Sequence, residues 1–556
     1  MTSEAAQALP RRGSTWLAWL VLAVAWFATS PVRPLLDPDE GRYAEIPREM
    51  LVSGDWVTPR FDGLKYFEKP PLQYWATAAV YTVAGVSEWS SRLWAVGLGF
   101  GCLGLTFAWT RALYGRSAAC AALLALAVSP YFLVVSHLNL LDAGFTFWLT
   151  AAVFAFTRAQ VAAQASADER RWMLAAWALA ALAVLSKGIV VGVLAGGTLI
   201  LYSLIERDAR PWRRLHPLAG LTLLLALTAP WFIVVSARNP GFASFFIVHE
   251  HVARFLTTVH QRVEPWWYFL PLLLLGALPW IGALPRSVLT AWRESGREIE
   301  NPNVAASAPF KPRRFLVIFA TLTLLFFSAS GSKLAPYILP MFPPLAAIVG
   351  AGTPDSGRLA PAAARIAAGL ILLVAVAGVL YSARRNAFVP HEALGWIAAA
   401  CLVALAALAA TLRAVRLPAA ALTVATAAGA VLAWQGLLCA YAIIPPARSA
   451  RQLVAAVRPA IGPGTNLYSV GQYRETISPY LGRTLTLVDY QGELAFGLAA
   501  EPGRQDLSVA AFTARWSAGG DAVAFFDPGI WDTWRRHGFP GRVIAADNYT
   551  VAVSRL

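Results

Sequence analysis

The sequence predicts a polytopic α-helical membrane protein of about 13 transmembrane helices, with interfacial helices in the first outside loop and a small C-terminal α/β domain. Three observations predict it. The chain is 57% hydrophobic and only 14% charged. Its apolar runs are long enough to span a bilayer, which takes about 20 residues of helix because the hydrocarbon layer offers the backbone no water to bond. After Pro445-Pro446 the apolar runs shorten to strand length, at Asn466–Val470, Thr484–Val488, Ala522–Phe526 and Val543–Ala546, with turn residues between them. The chain therefore divides into a membrane region, 1–445, and a soluble domain, 446–556.

The membrane region shows apolar stretches near 15–32, 72–87, 91–110, 117–136, 141–157, 171–187, 189–205, 217–237, 266–286, 315–331, 334–351, 364–383, 394–412 and 417–443. If all of them crossed, the loops with Arg111 and Arg116, with Arg158, Arg170 and Arg171, and with Arg207 to Arg214 would lie outside, against the positive-inside rule. Stretch 72–87 follows Pro70-Pro71 and carries Gln73, Tyr74, Trp75 and Tyr81. Treating it as an interfacial helix moves every one of those loops inside, along with Arg286 to Arg314. The N-terminus is then cytoplasmic, and the first loop, 31–71, and the C-terminus lie outside. The run Thr15–Ser30 follows Arg11 and Arg12 without a small-residue cleavage site, so it reads as a retained first helix.

The formal net charge of +15 sits largely in these short loops, so membrane topology accounts for it and no nucleic-acid partner is expected. Cys102, Cys120, Cys401 and Cys439 fall in apolar stretches without metal-ligand spacing, which indicates neither disulfides nor a thiolate site.

Four outside clusters carry chemistry. The first loop reads DPDEGRYAEIPREM from Asp37 and KYFEKPP from Lys65. Asp37 suits a helix cap, with Pro38 at the first position and carboxylates at the positive end of the dipole. On that helix Asp39, Arg42 and Tyr43 share one face, at i, i+3 and i+4, which a cap does not require. Tyr66, Glu68 and Lys69 stand just before the interfacial helix, where snorkelling lysines are the plain alternative. Asp142, in HLNLLD, is either a helix cap or a second acidic group on the same side. His249-Glu250-His251, with Arg254, His260 and Arg262, concentrates three histidines in one loop, although His-x-His alone is a weak zinc signal. Lys333 and Tyr337 lie in the turn SKLAPY. Together these supply carboxylates, metal-ligand types and Arg, Lys and Tyr donors suited to a phosphate.

DPDEGRY, YFEKPPLQYW, HLNLLDAG, HEHVARF with PWWY, and SKLAPYILPMFPP, in that order, resemble the lipid A aminoarabinose transferases, a bacterial branch of the protein O-mannosyltransferase-like, GT-C type glycosyltransferases. The resemblance implies a donor of undecaprenyl phosphate carrying 4-amino-4-deoxy-L-arabinose and a lipid A phosphate acceptor. It also implies a site on the periplasmic face of the bacterial inner membrane, and resistance to polymyxin and other cationic peptides. Residue by residue, it makes Asp39 and Asp142 the acidic catalytic positions. Arg42, Tyr43, Tyr66, Lys69, Lys333 and Tyr337 become donor-phosphate ligands, with Glu68 and His249 as ligands for a divalent metal, zinc or magnesium. A lipid phosphate is already nucleophilic, so Asp39 is expected to orient the sugar rather than remove a proton. Two alternatives stay open: a related transferase with a protein or other glycan as acceptor, and a transporter or flippase. The second fits less well because the spans carry few central charges.

Overall fold

The computed structural model describes residues 12–253, 263–294, 310–353, 356–384, 389–413, 419–444, 448–490, 492–502 and 506–555. Seven helices begin the chain: α1 (Arg12–Phe27), α2 (Asp39–Ser53), α3 (Leu72–Ala84), α4 (Glu88–Ala127), α5 (Pro130–Ser136), α6 (Leu141–Val161) and α7 (Ala167–Lys187). Apolar helices follow at Gly192–Glu206, Pro217–Arg238, Phe269–Trp280, Leu284–Trp292, Pro312–Ala329, Ala335–Gly352, Leu359–Arg384, His391–Leu412 and Ala421–Ile443.

Helix α3, the stretch expected to lie at the interface, has 13 residues. That is about 20 Å of helix, short of the hydrocarbon thickness. The stretches 91–110 and 117–136 are parted at Gly115, inside the loop expected between Arg111 and Arg116, and the second is cut again after Ala127. Helix α4 runs through 40 residues with one break at Gly115 (φ 81°, ψ 176°). Only glycine enters that backbone region freely. Helices α5 and α6 then meet at a 115° bend, and Phe269–Trp280 meets Leu284–Trp292 at 96°. Pro285 stands in the first turn of Leu284–Trp292, where proline starts a helix but cannot continue one, and Pro130 opens α5 after the end of α4. Among the described residues, seven helices are long and apolar enough to cross a membrane, or up to nine if each bent pair is one span. The expected thirteen crossings are therefore not drawn as thirteen unbroken helices. Several of the expected spans are kinked, opened by a π turn at Gly192–Gly196, or shortened.

The first loop adds a two-residue hairpin, β1 (Arg60–Phe61) with β2 (Leu64–Lys65). The C-terminal domain is one six-stranded sheet built from β3 (Asn466–Val470), β4 (Thr486–Val488), β5 (Asp506–Leu507), β6 (Ala522–Phe526), β7 (Arg542–Ala546) and β8 (Val551–Ser554). Their order is β5-β4-β3-β6-β8-β7, with β3 parallel to β4 and β6, and β8 antiparallel to β6. All five residues of β6 are buried, as the continuous apolar run AVAFF requires of a strand covered on both faces. The loops at the carboxyl ends of β3 and β4, where parallel sheets concentrate ligand-contacting residues, rest on the first loop of the membrane region.

Candidate active site at the first loop

Asp37 does not cap α2. Pro38 takes that position without a side-chain bond. The Asp37 carboxylate instead accepts from Arg474 Nε at 2.9 Å and from the Thr476 amide at 2.8 Å, both in the C-terminal domain. One turn on, a Cβ at Gly41 would lie 2.6 Å from the Glu475 carbonyl carbon, so only glycine lets α2 lie against that backbone.

The face formed by Asp39, Arg42 and Tyr43 folds as its spacing requires. Arg42 donates to Asp39 at 2.8 Å and with its other arm to Glu493 of the C-terminal domain. The Arg42 side chain is 3% exposed, whereas Asp39 is 42% exposed and open to a substrate. Burial works against the Arg42 charge, but Tyr66, Glu493 and Asp39 outweigh it and hold the guanidinium protonated. Its central carbon lies 5.7 Å from the Tyr43 ring and 6.0 Å from the Tyr66 ring. Tyr43 in turn stacks on Tyr74 with centroids 6.2 Å apart. Arg42 Nε and the hydroxyls of Tyr66 and Tyr74 are buried with no hydrogen-bond partner among the described residues. Each such orphan costs about 1–3 kcal/mol, a cost that an anionic, acceptor-rich ligand removes.

Lys69 bonds to Glu250 at 3.2 Å and stands 3.8 Å from the Glu68 carboxylate. Glu250 is buried in the π-helical turn Phe245–Ala253, beside His249 at 3.3 Å. An ammonium thus holds the cation position between two carboxylates. Among the described residues no group of three or more His, Cys, Asp or Glu is gathered to hold a metal. The His251 side chain, Arg254, His260 and Arg262 lie outside the described residues.

Asp142 is not a cap either, since Leu140 holds the cap position of α6. It forms an ion pair with Lys187, the last residue of α7. The Lys187 ammonium also sits 4.6 Å from the centroid of Tyr337, so Asp142 and Tyr337 meet through a lysine. Lys333 is buried and closes its own turn, donating to the Ser330 carbonyl at 2.7 Å. The two acidic segments are tied by buried Glu40, which grips Arg92 at 2.7 and 2.8 Å and accepts from the Asn139 amide at 2.9 Å. Burial alone would raise the Glu40 carboxyl, but Arg92 and Arg33 hold it down at about 2. Asn139 completes the tie by accepting from Gln73 of α3 at 3.0 Å.

Sequence reasoning missed Lys187, Glu250 as a Lys69 partner, and Glu493. Only Lys187 left a signal: it is the sole charged residue between Arg171 and Glu206, and an ionisable group in an apolar run is a functional candidate by default.

A helical bundle carrying this cage on one loop, beneath an α/β domain, is the setting of a membrane-embedded glycosyltransferase, and comparison with known proteins agrees. Residues 17–246 match the dolichyl-phosphate-mannose-protein mannosyltransferase family, and residues 453–555 match the aminoarabinose transferase C-terminal domain. The undecaprenyl phosphate-alpha-4-amino-4-deoxy-L-arabinose arabinosyl transferase of Pseudomonas paraeruginosa is 34% identical over 398 residues, 68% of each chain. The Erwinia tasmaniensis enzyme of the same name is 33% identical over 369 residues, 65% of this chain and 64% of its own length. The crystal structure of ArnT from Cupriavidus metallidurans bound to undecaprenyl phosphate superposes with a TM-score of 0.85 at 33% identity, covering 98% of each chain. The class is thus an integral-membrane glycosyltransferase with the GT-C fold. Within it, the chain belongs to the family of undecaprenyl phosphate-aminoarabinose arabinosyl transferases.

Proposed function

We propose that the protein transfers 4-amino-4-deoxy-L-arabinose from undecaprenyl phosphate to a phosphate of lipid A, with the first loop and the C-terminal domain on the periplasmic face of the inner membrane. The observation that carries this is the buried donor set of Arg42 Nε, Tyr66 and Tyr74, left without acceptors among the described residues beside a partly exposed Asp39. A phosphate on a membrane-embedded chain supplies the missing acceptors at headgroup depth. In the reaction, an oxygen of the lipid A phosphate attacks the anomeric carbon as the bond from that carbon to the undecaprenyl phosphate oxygen breaks, and the electron pair leaves with the phosphate. In-line displacement inverts the centre. The acceptor is already anionic, so no proton need be removed. Asp39 orients the sugar and steadies positive charge developing at the anomeric carbon, while Arg42 and Lys69 stabilise the departing phosphate. Asp142, fixed by Lys187, and Tyr337 line the neighbouring side. A divalent ion would draw on Glu68 and His249, whose donor types suit zinc or magnesium. As arranged, the Lys69 ammonium stands between Glu68 and Glu250, the neighbour of His249.

The test is mass spectrometry of lipid A from a strain lacking this activity, with and without the chain. Aminoarabinose-bearing lipid A together with raised polymyxin resistance is the expected result. Unmodified lipid A despite membrane-inserted protein would overturn the proposal.

A further inference from the structure

Two carboxylates of the C-terminal domain reach the first-loop cage from the carboxyl ends of parallel strands, Glu475 from the segment after β3 and Glu493 from the segment after β4. Glu493 bonds to Arg42, and Gly41 lets α2 close on the backbone of Glu475. The Tyr490 phenol stands beside both carboxylates. Tyr66, whose buried hydroxyl has no partner among the described residues, lies next to Glu493. The first loop and the domain therefore build one wall that holds acids as well as phosphate-binding donors.

The acids are not equivalent. Asp39 and Glu493 share the Arg42 guanidinium, and Asp37 has Arg474, which also reaches Asp547. Glu475 is partly buried, and its carboxyl has neither an ion pair nor a hydrogen bond among the described residues, because both nearby arginines are already engaged. Burial, then the charge of Asp37, raises it to about 8 against the pull of Arg42. A carboxyl in that setting lacks a cation. The donor phosphate, an anion, cannot supply one, but the donor sugar can: at neutral pH its 4-amino group is an ammonium, the feature that sets this pentose apart from plain arabinose. An ammonium there returns Glu475 to its ionised form, and the proton passes to solvent.

We infer that Glu475, with Glu493 beside it, receives the ammonium of the donor's aminosugar, so that the C-terminal domain reads the amine while the first loop holds the phosphate. The inference rests on the transfer reaction proposed above. In a pyranose the fourth carbon stands across the ring from the anomeric carbon. A donor phosphate on Arg42 and an anomeric carbon at Asp39 thus leave the amine free to point into the domain that covers the loop. Arg42, bonded to both Asp39 and Glu493, ties the two ends of the sugar site together. Rejection of an uncharged pentose follows from the same arrangement, because such a sugar leaves the Glu475 carboxyl without its cation.

The test uses the full chain in proteoliposomes with lipid A and two undecaprenyl phosphate donors, one carrying 4-amino-4-deoxy-L-arabinose and the other L-arabinose. The unsubstituted chain should need about tenfold less of the amino donor for half-saturation, the worth of one charge-assisted contact. Glu475→Gln keeps the shape of the neutral carboxyl, so the fold is not at stake, and it should remove most of that preference. Glu475→Asp, which keeps the charge, should retain part of it. Equal use of both donors by the unsubstituted chain would overturn the inference, as would a Gln variant with the full preference. A Gln variant impaired equally on both donors would make Glu475 a structural residue and overturn it too. Failure of the unsubstituted chain with both donors is a distinct outcome, which sinks the proposed reaction and this inference with it.

Discussion

Asp39 and Arg42 are one turn apart, and that spacing already separates their proposed tasks: the carboxylate stays open to solvent while the guanidinium is buried beneath it. Asp39→Asn keeps the shape and removes the charge. It should abolish aminoarabinose transfer, read by mass spectrometry of lipid A, with membrane yield unchanged, because an exposed polar substitution costs at most about 1 kcal/mol. Near-wild-type modification would reduce Asp39 to a structural partner of Arg42. Arg42→Ala and Lys69→Ala remove contacts of about 1.5–3 kcal/mol each, so each should raise the donor requirement roughly tenfold or more while leaving the lipid A requirement in place. The reverse pattern in separate titrations would move both residues to the acceptor side. This much was legible in the sequence because i, i+3 and i+4 neighbours are fixed by helix geometry alone. The pairings of Glu493, Glu250 and Lys187 were not legible, because each reaches its partner across tens to hundreds of residues. No local period encodes such a pairing.

The elements around the site were legible to different degrees for physical reasons. Apolar runs announce membrane helices, but a run does not show where a helix breaks. The break at Gly115 falls in the basic loop expected between two runs, whereas the bend between α5 and α6 emerged only in three dimensions. The strands at Asn466–Val470 and Ala522–Phe526 matched their apolar runs, whereas two-residue β5 and four-residue β8 were too short to stand out. The seam between α2, the β1–β2 hairpin and the C-terminal domain was invisible, although it carries an acidic cluster with consequences for stability. Glu49 accepts from the Gly63 amide at 2.9 Å, Asp62 accepts from the Leu485 amide at 2.8 Å, and Glu45 claims Arg48. Tyr473 and Tyr81 are the other titratable groups around them. Burial, then the charge of Glu45, raises Glu49 from an ordinary 4.5 to about 8. The fold therefore favours the protonated form. The stability this contributes is fully present below about pH 4.5 and is lost as pH rises through about 8. The melting temperature of the purified protein should fall between mildly acidic and mildly alkaline buffer, and Glu49→Gln should flatten that slope in part, since burial also raises the carboxyls of Asp62 and Glu475. An identical slope in the Gln variant would exclude Glu49 as its source.

At the scale of the whole molecule, two independent arguments put the first loop and the C-terminal domain on the same side of the membrane. Loop charges alone put 31–71 and the C-terminus on the same side, provided 72–87 does not cross. The contacts require the same thing without reference to charge: Asp37 meets Arg474, Arg42 meets Glu493 and Arg60 meets Glu501, so the first loop and the C-terminal domain cannot lie on opposite faces of a membrane. The basic loops, meanwhile, bond to one another. Arg214 donates to the Gln160 carbonyl at 2.7 Å, and Lys311 and Arg314 both pair with Glu206. An α2-bearing loop facing the cytoplasm would carry those arginines outward, against the insertion bias. In a chain freed of its four cysteines, single cysteines at Ser53 and Ser517, both exposed, should therefore react with an impermeant thiol reagent in intact cells. A cysteine at exposed Ala163, in the turn between α6 and α7, should react only after permeabilisation. Ser517 serves better than the neighbouring Gly519, whose φ of 113° would strain any side chain. Protection of Ser53 and Ser517 with labelling of Ala163 would invert the protein and place the proposed site where the acceptor lipid of the outer leaflet cannot reach it. A split result between Ser53 and Ser517 would contradict the contact between loop and domain on which the whole site depends.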